Sequence, residues 1–291
     1  MNSIYLQSVH EAYPDFEHGH MFPCKIKAPA DYTKDYEFRV ASKWRKFQRF
    51  WVEWILFLFG PILTYFRFAP KYKNKHILKK YKKELKNGFM TISNHVFPWD
   101  NIVLRNINKF HRVEMPIWKE GAESSSGNMF RLAGGITVPT DTIGIAKCFR
   151  AMKEVIQEKR WLHVYPEAAC WEFYSPIREF KSGTFRLAVE FGIPVFPIAF
   201  SFRKPRGLFK LWKGKRPVVN MNVGEPLYAD KNLEKTTAVE DLCKRVHDAI
   251  VRLAGFCSID ENENFKKNYK YYPYVNPYLD QYEAYYKKHN K

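Results

Sequence analysis

The 291-residue sequence lacks an uninterrupted apolar run of the length that a membrane-spanning helix needs. Its longest apolar stretch lies between Trp54 and Phe66, and Pro61 removes a helix hydrogen bond within it. A span requires roughly 20 apolar residues, so we expect no bilayer crossing here. The first residues, up to Lys27, show no basic start followed by an apolar run, so we expect no secretory signal.

Cysteine patterns of the structural or metal-binding type are also missing. The five cysteines are odd in number, are widely spaced and form no C-x-x-C pair: Cys24, Cys148, Cys170, Cys243 and Cys257. This spacing indicates neither a disulfide framework nor a zinc site, and it fits a reducing cytoplasm. His163 and Glu167 lack a third ligand at suitable spacing, so we predict no metal.

Positive charge and aromatic residues are abundant. The formal net charge is +18, the isoelectric point is near 9.5 and aromatic residues make up 17% of the chain. The charge indicates an anionic partner, which could be a nucleic acid, an anionic bilayer or an acidic protein or substrate. Because Trp and Tyr are favoured at the headgroup layer of a membrane, the composition favours lipid.

Basic residues flank the apolar stretch on both sides: Arg39, Lys43, Arg45, Lys46 and Arg49 precede it, and Arg67, Lys71, Lys73, Lys75, Lys79 and Lys80 follow it. Since Lys and Arg concentrate on the cytoplasmic side, we place both ends on that face. We therefore predict a membrane-associating helical hairpin at 44–70, which dips into the bilayer and returns or lies flat on it. The alternative is a buried helical hairpin of the core.

Beyond this segment, short β-like runs alternate with helix-like runs. We predict strands at 89–93, 113–118, 136–138, 161–165, 193–201 and 218–223. We predict helices at 100–108, 143–159, 183–191 and 236–253, and a short helix that ends near Leu132. This alternation indicates an α/β fold with a mixed, largely parallel sheet flanked by helices.

The same patterns divide the chain into four parts. An N-terminal segment at 1–43 and the hairpin at 44–70 precede an α/β domain at 71–257, and a tail rich in Tyr and Lys follows at 258–291. The tail either wraps the domain, touches membrane or is a partly ordered terminus, which is the reading we favour.

The main candidate for chemistry is the stretch Asn94-His95-Val96-Phe97-Pro98-Trp99-Asp100, where a predicted strand gives way to a helix. A histidine needs a partner that fixes its tautomer and raises its basicity before it can take a proton from a hydroxyl group. Asp100 could be that partner for His95. The H-x-x-x-x-D spacing alone is weak evidence, because it often arises by chance.

Three further blocks follow in order: Gly134-Gly135-Ile136-Thr137-Val138, Tyr165-Pro166-Glu167, and Ile193-Pro194-Val195-Phe196-Pro197-Ile198. Between the last two lies Phe180-Lys181-Ser182-Gly183-Thr184-Phe185-Arg186-Leu187-Ala188. Over roughly 88–201, this ordered set resembles the glycerolipid acyltransferase family, of the 1-acylglycerol-3-phosphate acyltransferase type, whose members acylate glycerol phosphate and lysolipids. Ordered co-occurrence is far more specific than any single motif.

The resemblance implies a membrane-surface enzyme with an acyltransferase domain at 71–257, acting in phospholipid biosynthesis at the cytoplasmic face as a monotopic or peripheral protein. It implies that His95 is the general base and that Asp100 orients it, so that an acceptor hydroxyl attacks an acyl thioester. The donor would be acyl-CoA or acyl carrier protein, as co-substrate, with no other cofactor. Substrate-binding residues are predicted at Asn94, Gly135, Glu167, Lys181 and Arg186.

Two blocks depart from the family pattern. The second usually ends with an Arg that holds the acceptor phosphate, whereas Pro139-Thr140-Asp141 follows Val138 here. The third usually reads Pro-Glu-Gly-Thr-Arg, whereas this chain has Pro166-Glu167-Ala168-Ala169-Cys170. Ala and Cys cannot imitate the planar fork with which Arg binds phosphate. Either other cations bind the phosphate, such as Arg131, Arg178, Lys181 or Arg186, or the acceptor carries no phosphate there, which we favour.

Three rival hypotheses remain at this stage. The first is a nucleic-acid-binding protein. The basic stretch from Arg203 to Arg216 is interrupted by Leu208, Phe209, Leu211 and Trp212, and this mixture suits binding to anionic headgroups, an acyl carrier or coenzyme A. Basic residues interleaved with aromatic residues also suit binding to single-stranded nucleic acid. We predict no nucleic-acid partner, because no nucleic-acid motif is present. The other two hypotheses are a lipid-binding relative without catalysis and a thioesterase. The G-x-S-x-G motif of the usual hydrolase nucleophile is absent.

Overall fold

A computed structural model describes residues 25–107, 112–174, 177–203, 207–208, 211 and 218–255, together with two short strands after 256. Most of the basic stretch from Arg203 to Arg216 and most of the predicted tail lie outside the described residues.

A seven-stranded sheet, with strand order β1-β7-β6-β2-β5-β3-β4, forms the centre of the fold. Only the β6–β7 pair is antiparallel, so the predicted mixed, largely parallel α/β sheet is confirmed. The strands are β1 Lys71–Lys73, β2 Phe89–Ser93, β3 Val113–Trp118, β4 Gly135–Val138, β5 Trp161–Val164, β6 Val195–Arg203 and β7 Val218–Val223. A separate two-stranded sheet pairs β8 Cys257–Ile259 with β9 Phe265–Lys267.

Helices flank the sheet. They are α1 Lys43–Phe68, α2 His76–Lys80, α3 Lys82–Leu85, α4 Asp100–Arg105, α5 Lys119–Glu123, α6 Gly127–Leu132, α7 Thr142–Gln157, α8 Phe185–Phe191 and α9 Lys235–Ala254, with a 3₁₀ turn at Ser182–Thr184. The Asp141 carboxylate caps α7 by accepting from the N–H of Gly144 at 2.6 Å. Gly255, with φ of 74°, ends α9 in the left-handed conformation that glycine adopts at little cost.

The central strands are buried on both faces, as expected where helices cover a parallel sheet. Every residue of β2 and β5 is buried, and Trp161 stacks on Phe89 with ring centroids 5.7 Å apart. Since β2 and β5 are parallel neighbours, the residues that follow Ser93 and Val164 emerge at the same edge of the sheet. That edge carries the first and third sequence blocks.

The predicted hairpin at 44–70 is wrong in form, because the segment is one continuous helix of 26 residues, α1. Pro61 lies inside α1, and the buried Thr64 hydroxyl donates to the Gly60 carbonyl at 2.7 Å across the same turn. The helix is also attached to the domain on both sides of the proline. Arg105 donates to Glu53 at 2.7 Å, and Asn106 donates to the Thr64 hydroxyl at 3.3 Å. These contacts keep the two halves in line.

The faces of α1 are inverted relative to an ordinary surface helix. Its buried residues are Arg49, Gly60, Thr64 and Phe68, and a Cβ on Gly60 would lie 3.1 Å from Ile102 of α4. Apart from Lys43 and Lys46 at its start, its exposed face is apolar: Trp44, Phe47, Phe50, Trp51, Trp54, Ile55, Leu58, Phe59, Ile62, Leu63, Tyr65 and Phe66. In the described part of the chain, α1 is the one helix long and apolar enough to cross a membrane, judged by length and composition.

Residues 25–42, the described part of the segment before α1, pack against the domain without forming a helix or strand. The Tyr32 hydroxyl donates to the buried Glu123 carboxylate at 2.9 Å, and Arg39 forms ion pairs with Glu114 and Glu158 at 3.0 and 2.7 Å. These long-range contacts make residues 28–42 part of the folded unit.

Candidate active site

His95 and Asp100 lie at the two ends of the turn that joins β2 to α4. The Nδ1–H of His95 donates to Oδ2 of Asp100 at 2.6 Å. Asp100 is buried, with 1% of its side chain exposed, whereas 18% of the His95 side chain is exposed. A proton held on Nδ1 leaves the lone pair on Nε2, so this imidazole can accept a proton from a ligand.

Tyr165 follows β5 and contacts both members of this pair. Its hydroxyl donates to Oδ1 of Asp100 at 2.7 Å, and its ring stacks on His95 with centroids 4.1 Å apart and planes at 19°. Burial, and then the Asp100 charge, raise the pKa of Tyr165 well above its usual value, so the phenol remains a donor. We did not predict this role from the sequence, although Tyr165 directly precedes Pro166-Glu167 at a strand end.

Glu167 holds in place the turn that carries His95. It is fully buried, and its carboxylate accepts from the backbone N–H of His95 and from the backbone and Nη2 of Arg178, each at 2.9 Å. The guanidinium of Arg178 also lies 4.4 Å from the ring centroid of Trp171. These contacts fit a structural role for Glu167 in holding the turn, and its substrate-binding role stays a prediction.

The side chain of Asn94 is also occupied by contacts within the protein. Its side chain is fully buried, its Nδ2 donates to the Phe200 carbonyl at 3.0 Å, and its Oδ1 accepts from the Phe200 N–H at 2.8 Å. The amide thus extends the pairing of β2 with β6 by one step and fixes where the chain leaves the sheet. A residue that uses both amide atoms in this way does not bind substrate through its side chain.

A second histidine lies beneath the pair. The ring of His163, fully buried in β5, packs edge-on against Tyr165 with centroids 4.3 Å apart. Trp161 donates to the Thr91 hydroxyl at 2.7 Å, and that hydroxyl is 2.7 Å from Nδ1 of His163. Because the Thr91 oxygen accepts from Trp161, its proton is available to Nδ1. Burial, and then the neighbouring His95, lower the pKa of His163 well below its usual value, so it stays neutral.

Part of this chain is similar to known proteins. Residues 70–201 match the acyltransferase family, over a range that contains all four sequence blocks. A crystal structure of the 1-acyl-sn-glycerophosphate (LPA) acyltransferase PlsC from Thermotoga maritima is 17% identical and has a TM-score of 0.49, with 74% of this chain and 83% of that chain covered. No curated protein sequence matches this chain.

Among the described residues, no contact joins His95 to the three other predicted binding residues, Gly135, Lys181 and Arg186. Gly134 has a φ of 94°, and a Cβ on Gly135 would lie 2.8 Å from Ile117 and from the Phe130 carbonyl. The glycine pair is therefore required by a turn and by close packing. Lys181 and Arg186 have exposed side chains at the 3₁₀ turn and on α8. The Lys181 N–H donates to the Pro166 carbonyl at 3.0 Å, which places its backbone beside the third block.

Arg131, Arg178, Lys181 and Arg186 are the cations that could replace the phosphate-binding arginines of the family pattern. They differ in how far other residues of the protein already contact them. Arg178 is buried against Glu167 and Trp171, and Arg131 contacts the Glu37 carboxylate at 3.5 Å. Ala168 has a φ of 63°, in the left-handed region that glycine adopts most easily, and glycine is the residue that the family pattern has at this position. The third block therefore has a glycine-type backbone conformation at Ala168 and lacks the arginine of the family pattern.

Neither a metal nor a thiol nucleophile is indicated in the described residues. No group of three or more His, Cys, Asp or Glu residues there could hold a metal ion. Burial, and then the Asp100 charge, raise the pKa of Cys170 well above its usual value, so its sulfur stays a thiol at neutral pH. The titratable group suited to proton transfer at this edge of the sheet is therefore His95.

Proposed function

We propose that this acyltransferase moves a fatty acyl group from an acyl thioester to a hydroxyl of a lysolipid-type acceptor at a membrane surface. One observation carries the proposal: a buried carboxylate holds Nδ1 of a partly exposed histidine at 2.6 Å, so that Nε2 is the free basic atom. This arrangement is that of a general base with its orienting partner.

The chemistry needs no covalent enzyme intermediate. Nε2 of His95 takes the proton of the acceptor hydroxyl while the oxygen attacks the thioester carbonyl carbon. The tetrahedral intermediate then collapses, the carbon–sulfur bond breaks and the thiolate takes the proton from the imidazolium. The products are an ester and a free thiol. Asp100 stabilises the imidazolium that forms between the two steps.

The net charge of +18 supports an anionic donor, either acyl-CoA or acylated carrier protein. For the acceptor, the engagement of Arg178 with Glu167 and of Arg131 with Glu37 supports a lipid without a phosphate beside the reacting hydroxyl. Lys181 and Arg186 are the exposed cations that would serve a phosphate if one is bound.

The membrane-surface part of the proposal rests on α1. A helix that turns polar residues toward the domain and apolar residues outward would leave a large apolar face in water, which is unfavourable. The Glu53–Arg105 contact at 2.7 Å ties its inner face to the domain, which supports a helix lying in the plane of the cytoplasmic leaflet.

The experiment is acyl transfer from labelled acyl-CoA and labelled acyl carrier protein to a panel of lysolipids, with and without a phosphate next to the free hydroxyl. We expect transfer to at least one acceptor, lost by a factor on the order of 100 or more in His95→Ala and in Asp100→Asn. The control is His76→Ala, because His76 is an exposed histidine on α2.

Undiminished transfer by His95→Ala would contradict the mechanism. A strict requirement for the phosphate-bearing acceptor would overturn the proposed acceptor class. Lys181 and Arg186 would then be the candidate phosphate-binding residues. Release of free fatty acid in equal amounts with and without acceptor would instead identify a thioesterase that uses the same base.

A further inference from the structure

Asp100 is held by both of its carboxylate oxygens. Oδ2 accepts from His95 at 2.6 Å, and Oδ1 accepts from the Tyr165 hydroxyl at 2.7 Å. With 1% of its side chain exposed, Asp100 cannot exchange either bond for water. The second oxygen of the carboxylate is therefore held by Tyr165, a residue that follows a different strand from the one before His95.

The Tyr165 ring is itself held between two histidines. His95 stacks on it at 4.1 Å, and His163 meets it edge-on at 4.3 Å. The His163 ring is in turn fixed by Thr91 at 2.7 Å and by Ser93 at 3.3 Å, both in β2. A continuous set of contacts thus leads from the core of the sheet through Tyr165 to the imidazole.

We infer that Tyr165 is a positioning residue for acyl transfer, which acts through its hydroxyl on Asp100 and through its ring on His95. This inference rests on the proposed function, because it assigns a residue to the same reaction. Burial, and then the Asp100 charge, raise the pKa of Tyr165, so the phenol keeps its proton at neutral pH and donates it to Asp100.

The hydrogen bond from the Tyr165 hydroxyl should also reduce the negative charge on the Asp100 carboxylate that acts on His95. When the phenol is removed, more negative charge remains on the carboxylate and the protonated imidazole becomes more stable. We then expect the acid limb of the pH–rate profile to move to higher pH. The other ionisable groups around the pair are unchanged by this substitution: His163, Cys170, Arg105, Glu167, Glu172 and Arg178.

The test is Tyr165→Phe, which keeps the stacked ring and removes only the hydroxyl. We expect kcat to fall roughly 10-fold, as when an orienting partner of a catalytic group is lost. We also expect an unchanged KM for the acceptor and an acid limb raised by roughly half a pH unit. The matched control is Tyr32→Phe, which removes a hydroxyl from the buried Glu123 carboxylate and should leave the pH profile unchanged.

Two further measurements separate positioning from mere stabilisation. In an Asp100→Asn background, Tyr165→Phe should have little additional effect on kcat, because the residue acts through that carboxylate. In the ¹H NMR spectrum, the Nδ1–H resonance of His95, assigned by its loss in His95→Ala, should shift in Tyr165→Phe and not in Tyr32→Phe.

Independent, additive losses in the double variant, or an unshifted resonance together with a superimposable pH profile, would overturn the inference. The NMR measurement requires no turnover. If the native protein transfers no acyl group while the resonance still shifts, the proposed function fails and the role of Tyr165 in orienting the His95–Asp100 pair stands.

Discussion

The backbone N–H of His95 donates a 2.9 Å hydrogen bond to the carboxylate of Glu167, 72 residues further along the chain. The same carboxylate accepts from Arg178, whose guanidinium lies almost wholly out of solvent. This hydrogen bond from the main chain of His95, the candidate base, therefore joins the first and third sequence blocks.

Glu167→Gln should weaken both stability and activity. The glutamine keeps one acceptor oxygen and removes the negative charge that Arg178 contacts at 2.9 Å, and breaking a buried ion pair costs about 3–5 kcal/mol. Urea unfolding measures the loss of stability. Acyl transfer, assayed well below the unfolding midpoint, should fall at least 10-fold because the turn that carries His95 loosens.

The matched control for this substitution is Glu190→Gln, which breaks the exposed pair with Lys153 at 2.7 Å. An exposed pair contributes about 0–1 kcal/mol, so both measurements should stay near the native values. Native activity in Glu167→Gln would show that the bond to His95 is dispensable.

Ala168→Gly should stabilise the protein. Ala168 has a φ of 63°, and an L-residue in the left-handed region costs about 1–2 kcal/mol relative to glycine. Part of this gain is offset by about 0.4–1 kcal/mol, because glycine adds freedom to the unfolded chain. We expect a net gain of about 0.5 kcal/mol, seen as a higher urea midpoint at constant slope.

An exposed alanine in regular helix serves as the control for Ala168. Ala146→Gly in α7 should cost about 1 kcal/mol, because a helical φ gains nothing from glycine. Equal destabilisation by both substitutions would show that the backbone at 168 is not strained.

His163 should make stability fall in mild acid. The folded state lowers the pKa of His163 by burial, whereas the unfolded chain titrates near 6.5. Below about pH 6.5 the unfolded state therefore binds one more proton, and stability falls as pH decreases toward the folded pKa, by at most about 1.4 kcal/mol per pH unit.

The readout for His163 is the slope of unfolding free energy against pH, since absolute stability changes in any core variant. His163→Gln should have a shallower slope between about pH 6.5 and 5 than the native protein. His76→Gln, at an exposed histidine, should keep the native slope. A native slope in His163→Gln would assign the acid sensitivity to other groups.

The sequence predicted those features that depend on neighbours along the chain. Apolar runs of strand length placed β2, β3 and β7 at the observed residues, because the sheet buries both faces and leaves little polar alternation. The His95–Asp100 pair was predictable because a single tight turn joins its members.

Features set by long-range packing were not predictable in this way. Asn94 bonds to Phe200 across 106 residues, and no local pattern distinguishes that amide from one that binds substrate. The helix α1 continues through Pro61 because it contacts α4, which lies outside the segment at 44–70. Tyr165 was missed because its role arises only when β2 and β5 lie side by side.

The last prediction concerns the exposed apolar face of α1. Leu58 is 51% exposed at the centre of the apolar face. Full burial of such a side chain contributes about 1.5–3 kcal/mol, and a carboxylate placed there would also meet anionic headgroups. Leu58→Glu should therefore reduce binding to phosphatidylserine-containing vesicles about 10-fold or more, as measured by co-sedimentation.

Leu233→Glu tests whether any new surface carboxylate has this effect, since Leu233 is also exposed, at 38%, and lies outside α1. It should bind vesicles nearly as the native protein does, with only the small loss that one added negative charge causes. If both variants lose binding equally, net charge governs the association. If neither loses binding, the apolar face of α1 does not enter the bilayer, and another protein or another copy of the chain must cover it.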